Sequence, residues 1–261
     1  MRGQRKSGGA AKGSVQSIRR AVEVIRAIAR IQRSGATLTR VVQATGLKRT
    51  TAFRILQSLT EERLLQYDRA DHCYGVGQLA FELGLAAPAR ARTLAAWQRV
   101  VDRVAWETHL TTYLVARSDD EAVFLQCVPA VGRFGVESLE IGQRLPLGVG
   151  ASSLAILASL RDEEVGRIIC AHGARRDALL CGKMTVPGIS KSIERTRREG
   201  FALSSGDVLP GVTGVGVAVL PRVDMDQIAI SVSAAAAAIN AGEARRVASV
   251  IRNAIDSYRG V

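Results

Sequence analysis

The chain has 261 residues, 47% of them apolar and only 4% aromatic, with 36 Lys/Arg against 24 Asp/Glu and a formal net charge of +12. That length suits two domains better than one, and no apolar run reaches the ~18 residues a membrane span needs. No hydrophobic segment adjoins the N-terminal charges, so a cytoplasmic protein without a secretory signal or membrane partner is expected. The excess charge is uneven. Residues 1–84 carry 15 Lys/Arg and 6 Asp/Glu, a balance of +9, whereas residues 85–261 carry 21 and 18, a balance of +3. Such an asymmetry fits a nucleic-acid footprint better than a generally basic surface. The four cysteines, Cys73, Cys127, Cys170 and Cys181, have no paired spacing. Cys170, His172 and Cys181 match no zinc pattern, so neither disulfides, a metal nor a cofactor is expected.

Residues 1–13 are Gly-rich and basic without periodicity, which predicts a disordered tail. A helix starts near Val15, with Ile18, Ala21, Val22, Ile25, Ile28 and Ala29 as its expected buried stripe, and Ser34-Gly35 ends it. Thr37 to Leu59 then reads as two helices around a tight turn. Thr37 caps the first, and Gly46 sits where a left-handed backbone suits glycine. The second runs from about Lys48 and places Ala52, Ile55, Leu56 and Leu59 on one apolar face. At 100° per residue Thr50, Arg54 and Gln57 point the opposite way, a face suited to base edges and phosphates. A merely basic surface helix has the same pattern. Two short strands, Leu64–Asp68 and His72–Val76, follow around Arg69-Ala70-Asp71, which makes a wing behind the helix. Arg69 and His72 at its tip are placed for phosphate or minor-groove contact.

Gln78–Leu85 reads as a short apolar helix and Ala89–Glu107 as a longer one, with Leu94, Trp97, Val101, Val104 and Ala105 in register. Thr111–Ala116 and Ala122–Val128 are strands about a polar turn, and Arg133–Leu139 alternates as a third. Gly142 to Ala158 is a loop with Gly148 and Gly150 that opens a small-residue helix at Ala151. Backbone N–H groups at such a start, with Ser152 and Ser153, can hold an anion; tight loop packing explains the pattern as well. Asp162–Ala171 and Ile189–Glu199 read as helices, Phe201–Asp207 and Pro210–Val217 as loop and strand, Gln227–Ser233 as the last strand, and Ala241–Tyr258 as a closing helix. Ser231 and Ser233 share one strand face, positioned either for a ligand or for local backbone. Hairpins among helices give an α+β fold with an antiparallel sheet and flanking helices.

In order and spacing, several stretches resemble the IclR-type transcriptional regulators. They are Ser14–Ile18, Ala44–Leu47, Arg49–Leu56 (with Thr51 inside it), Tyr74–Gly77 and Leu83-Gly84, and the likeness extends over nearly everything after residue 13. The resemblance implies a winged helix-turn-helix over 14–77, a linker helix over 78–88 that helps dimerisation, and a GAF-like effector-binding domain over 89–261. On that basis Lys48, Arg49, Thr50, Thr51, Arg54, Gln57 and Arg69 are the candidate DNA-binding residues. The candidate effector-binding residues are Leu145, Gly148, Gly150, Ala151, Ser152, Val212, Gly214, Ser231 and Ser233. Relatives usually carry a histidine where Gly148 stands, so Gly148 predicts a roomier, less polar pocket and a bulkier organic acid, aromatic ones included. The expected partners are a palindromic double-stranded operator, the small-molecule effector and further copies of the chain, as a homodimer or a dimer of dimers. Two other readings are a small-ester hydrolase using Ser152, Ser153 or a cysteine, and a DNA-architectural protein that senses nothing. His109 and His172 belong to no catalytic motif, which weighs against the hydrolase.

Overall fold

The computed structural model describes residues 9–31, 35–130, 139–171, 185–219 and 227–259. The chain divides into two compact units, Met1–Ala91 and Arg92–Val261. In the first, α1 (Gly9–Ile31) begins within the tail expected to be disordered. Ala10, Ala11 and Lys12 are strong helix formers, so a helix nucleated near Val15 propagates back through them. The buried stripe of α1 also differs from the expected one. Val24, Ala27 and Ile28 are buried, with Ala21, Ile25 and Ile31 packed beside them, whereas Val15, Ile18 and Val22 are exposed. This helix has two apolar faces, and only one meets the small core.

Helix α2 (Leu38–Thr45) starts where the Thr37 hydroxyl accepts the Arg40 N–H at 3.4 Å and stops at Gly46, whose φ of 66° is left-handed. Helix α3 (Arg49–Glu61) buries Ala52, Leu56 and Leu59 against Val24, Ile28 and Val41. Strands β1 (Leu65–Asp68) and β2 (Cys73–Val76) pair antiparallel from Leu65↔Val76 to Asp68↔Cys73. Asp68 Oδ1 accepts the Ala70 N–H at 2.8 Å, which closes the tip as an Asx turn. Ala36 bridges Tyr74 and widens the hairpin's base. Helix α4 (Gln78–Leu85) is tied to the turn that leads into this hairpin by Leu79 N–H to Arg63 C=O at 3.0 Å and by Arg63–Glu82 at 3.0 Å. It buries none of its residues, and Phe81, Leu83 and Leu85 are exposed.

The second unit is built on a six-stranded antiparallel sheet in the order β5-β4-β3-β8-β7-β6. Its strands are β3 (Thr111–Ser118), β4 (Glu121–Val128), β5 (Arg144–Pro146), β6 (Ala202–Ser205), β7 (Val212–Val219) and β8 (Ile228–Ala235). The strand expected over Arg133–Leu139 lies, apart from Leu139, outside the described residues. The same holds for His172, Cys181 and the Asp224-Met225-Asp226 turn. Period-two alternation divides the sheet's side chains between two cores. Leu114, Val215, Val217, Ile230 and Val232 meet α5 (Pro88–Thr108) and α9 (Ala241–Arg259) through Trp97, Val101, Val247 and Ile251. Val115, Phe124 and Ala229 share the opposite core with Leu154 and Ile156 of α6 (Ala151–Ala158), Ile168 of α7 (Asp162–Ala171), and Ile189 and Ile193 of α8 (Val186–Glu199). Every residue of α6 is buried. It lies so close to the sheet that a Cβ on Gly216 would stand 2.6 Å from the Ala151 carbonyl oxygen.

Candidate functional site

On α3, Lys48, Arg49, Thr50, Arg54 and Gln57 are exposed and Thr51 is half-buried. The core side of the helix, set by Ala52, Leu56 and Leu59, leaves these residues facing outward. Arg49 reaches Thr39 Oγ1 of α2 at 3.3 Å, and Gln57 donates to Glu61 Oε1 at 3.1 Å. Among the described residues no acidic group pairs with Lys48, Arg54 or Arg69, so their charges stay available to an anionic partner. Arg69 is exposed at the tip of the wing. Beside it the Tyr67 hydroxyl and His72 Nδ1 are 3.0 Å apart. An exposed basic helix face with an arginine at the hairpin tip of the same compact unit is a geometry that can engage a groove and its flanking phosphates.

A second site lies wholly inside the other unit, where the N-terminus of α6 meets the sheet. Leu145, Gly150, Ala151, Ser152, Val212, Gly214, Ser231 and Ser233 line one cavity of about 50 Å³. The strand register explains the grouping. Tyr113, Ser231 and Gly216 lie side by side across β3, β8 and β7, and Thr111, Ser233, Gly214 and Ser204 form the next row across β3, β8, β7 and β6. Directly opposed residues share a face, so one row supplies hydroxyls and the glycines clear the space above them. Gly148 does not belong to this set. Its φ is 96°, and a Cβ there would meet Leu157 at 3.0 Å and Ile189 at 3.9 Å, in the core under α6. Two residues on, Gly150 turns toward Val208, which a Cβ would approach to 2.9 Å. The expectation that Gly148 enlarges the pocket is therefore corrected: the chain reverses between the two glycines and only the second borders the cavity.

Tyr113, Phe124, Leu139, Ser204, Val208, Leu209 and Val232 complete the described wall and were not singled out in the sequence. Tyr113 packs edge-on against Phe124, with ring centroids 5.4 Å apart at 88°. Its phenolic oxygen accepts from Leu139 N–H at 3.3 Å and from the Ser233 hydroxyl at 3.4 Å, which leaves its own proton to donate. Burial pushes this phenol above its ordinary range, against the lowering effect of those two bonds, so it stays protonated at neutral pH. Ser153 is committed to the helix start through the carbonyls of Val149 and Gly150. Ser152, Ser204 and Ser231 are buried residues that line the cavity, and among the described residues their hydroxyls have no protein hydrogen-bond partner. Hydroxyls that border such a cavity are left for water or a ligand to meet. Among the described residues no cluster of three or more His, Cys, Asp or Glu can hold a metal, and no helix is long and apolar enough to cross a membrane.

Comparison with known proteins covers both units. Residues 17–69 match the IclR helix-turn-helix domain, and residues 88–258 match the C-terminal domain of the bacterial transcriptional regulator IclR. The chain is 25% identical over 228 residues to the transcriptional repressor IclR of Escherichia coli, covering 85% of this chain and 81% of that protein. The fold is similar to that of an IclR family regulator from Brucella abortus, with a TM-score of 0.76 at 18% identity, over 98% of this chain and 96% of that one. It is also similar to an IclR homolog from Microbacterium hydrocarbonoxydans solved with 4-hydroxybenzoate, with a TM-score of 0.68 at 18% identity over 94% and 100% of the two chains. The curated relatives regulate transcription and are not enzymes, so the ester-hydrolase alternative falls. On these two domain matches, which take in most of its length, the chain belongs to the IclR family of bacterial transcriptional regulators.

Proposed function

We propose that this regulator is a cytoplasmic sensor. In this reading a small organic acid binds in the cavity between α6 and the sheet and biases how α3 and the wing engage a palindromic operator. The observation that carries it is the set of three hydroxyls without a protein partner among the described residues, Ser152 of α6, Ser204 of β6 and Ser231 of β8, which line one cavity at the start of α6. A carboxylate placed there accepts from these hydroxyls and from the phenol of Tyr113, and it lies at the positive end of the α6 dipole. Among the described residues neither lysine nor arginine lines the cavity, so neutral donors hold the acid and the affinity falls in the micromolar to millimolar range. Wild type is screened with acids from two carbons to aromatic, because the volume of about 50 Å³ favours the small end while Tyr113 and Phe124 favour an aromatic body. An acid that binds only the folded chain raises its melting temperature. Calorimetry should then show at least a tenfold loss of affinity in Ser231→Ala and Ser233→Ala; unchanged affinity in both would place the acid elsewhere.

For the DNA side the proposal assigns Thr50, Arg54 and Gln57 to base edges and Lys48, Arg49, Thr51 and Arg69 to the backbone. Arg54→Ala should cost about 1–3 kcal/mol of operator binding and relax the preference at one base pair. Lys48→Ala should weaken binding to all sequences alike and reduce the salt slope by about one. If both bind like wild type in gel shifts, α3 is not the contacting helix.

The proposal further holds that the chain acts as a dimer or a dimer of dimers. Val15, Ile18 and Val22 on α1 and Phe81, Leu83 and Leu85 on α4 are exposed apolar residues that a second copy can cover. Sedimentation of a monomer at micromolar concentration would contradict this.

A further inference from the structure

The side chain of Phe53 is 49% exposed in the middle of α3 and takes no part in the core of its unit. A single exposed apolar residue is ordinary; the position of this one is not. At 100° per residue Phe53 projects roughly 40° from Gln57 and from Arg49 and roughly 60° from Thr50, at the edge of the outward face, with the buried Leu56 roughly 60° to its other side and Ala52 and Leu59 about 100° or more away. It stands beside polar side chains of the outward face, on the flank where Arg49 reaches across to Thr39. Polar neighbours on this face can exchange hydrogen bonds with base edges. A phenyl ring can only offer apolar surface. In the major groove the one apolar group that marks a base is the C5-methyl of thymine.

We propose that Phe53 is a specificity-determining residue that reads a thymine methyl, so that each operator half-site carries an A·T pair under the middle of α3. The proposal rests on α3 being the helix that contacts bases. Burying the methyl against the ring removes apolar surface of both from water, worth a factor of about four in affinity per methyl-sized group. It adds no charge, so it changes the choice of base without altering the salt dependence.

The test uses the full chain and the tightest duplex selected from a random pool. Each thymine of a half-site is replaced in turn by deoxyuridine, which keeps the pairing edge and lacks only the methyl. At one position the substitution should weaken wild-type binding about fourfold. Phe53→Ala should bind the thymine and deoxyuridine duplexes alike, at the same salt slope as wild type. Phe53→Gln, a polar residue with good helix propensity, should behave in the same way and covers the case in which the alanine variant folds poorly. Thr50→Ser, which removes another methyl on this face, should keep the wild-type ratio. Indifference of wild type to deoxyuridine at every position, or an unchanged ratio in both Phe53 variants, overturns the assignment. Failure to enrich any sequence overturns the reading of α3 itself, and Phe53 with it.

Discussion

Gly216→Ala should destabilise the second unit by about 3 kcal/mol or more and lower its melting temperature by on the order of 10 °C. The added Cβ would lie 2.6 Å from the Ala151 carbonyl oxygen, 2.7 Å from its carbon and 2.9 Å from the Ser152 nitrogen. All three are backbone atoms in the first turn of α6, which has no freedom to yield because every residue of that helix is buried. The helix must lift from β7, and with it the donors that line the cavity. The acid-induced rise in melting temperature should disappear together with the stability. Calorimetric unfolding of wild type and variant measures both effects. A variant as stable as wild type would show that α6 does not rest on the sheet at this glycine.

The second large effect is expected in the DNA-binding unit. Gly77→Ala would drive a Cβ into the Arg63 carbonyl oxygen and to 2.7 Å from the carbonyl carbon and oxygen of Leu65. The same Arg63 carbonyl accepts the Leu79 N–H at 3.0 Å, and Gly77 N–H donates to Leu64 C=O at 2.9 Å. One methyl group therefore collides with the turn that joins α3 to β1 and with the start of α4. The expected result is a loss of about 3 kcal/mol in this unit and at least tenfold weaker operator binding. Acid binding should be unchanged in calorimetry, because among the described residues the cavity is lined by Tyr113 to Ser233, all in the other unit.

These two glycines also show what the sequence reveals and what it hides. Local signals were legible. Thr37 as cap, Gly46 as left-handed stop and the Ala52, Leu56, Leu59 spacing define the helix-turn-helix because each acts within four residues of itself. Ser231 and Ser233 were legible as a pair for the same reason, through the period of two. Relationships set by strand register were not. Tyr113 lies across from Ser231, more than a hundred residues away, and Ser204 across from Gly214; no local pattern announces either. Gly148 misled because neighbours in a loop need not face one cavity, and here each has a left-handed backbone that turns its flank elsewhere. The α1 stripe misled because an apolar helix face can serve its own core or an outside partner, and periodicity does not say which. Phe53 was visible in the motif, but only its exposure distinguishes a base contact from a core residue.

The central claim is that occupancy of the cavity changes how the chain holds its operator. The direct measurement is fluorescence anisotropy of a labelled operator duplex titrated with the full chain, with and without a saturating acid chosen by its melting shift. Wild type and Ser231→Val are compared, the valine filling the cavity with two methyls in place of the hydroxyl. The acid should move the wild-type operator Kd at least severalfold and leave that of Ser231→Val unmoved, with both binding the operator alike in its absence. An acid that binds wild type by calorimetry, loses affinity in Ser231→Val, and yet leaves the wild-type operator Kd unchanged would contradict the account.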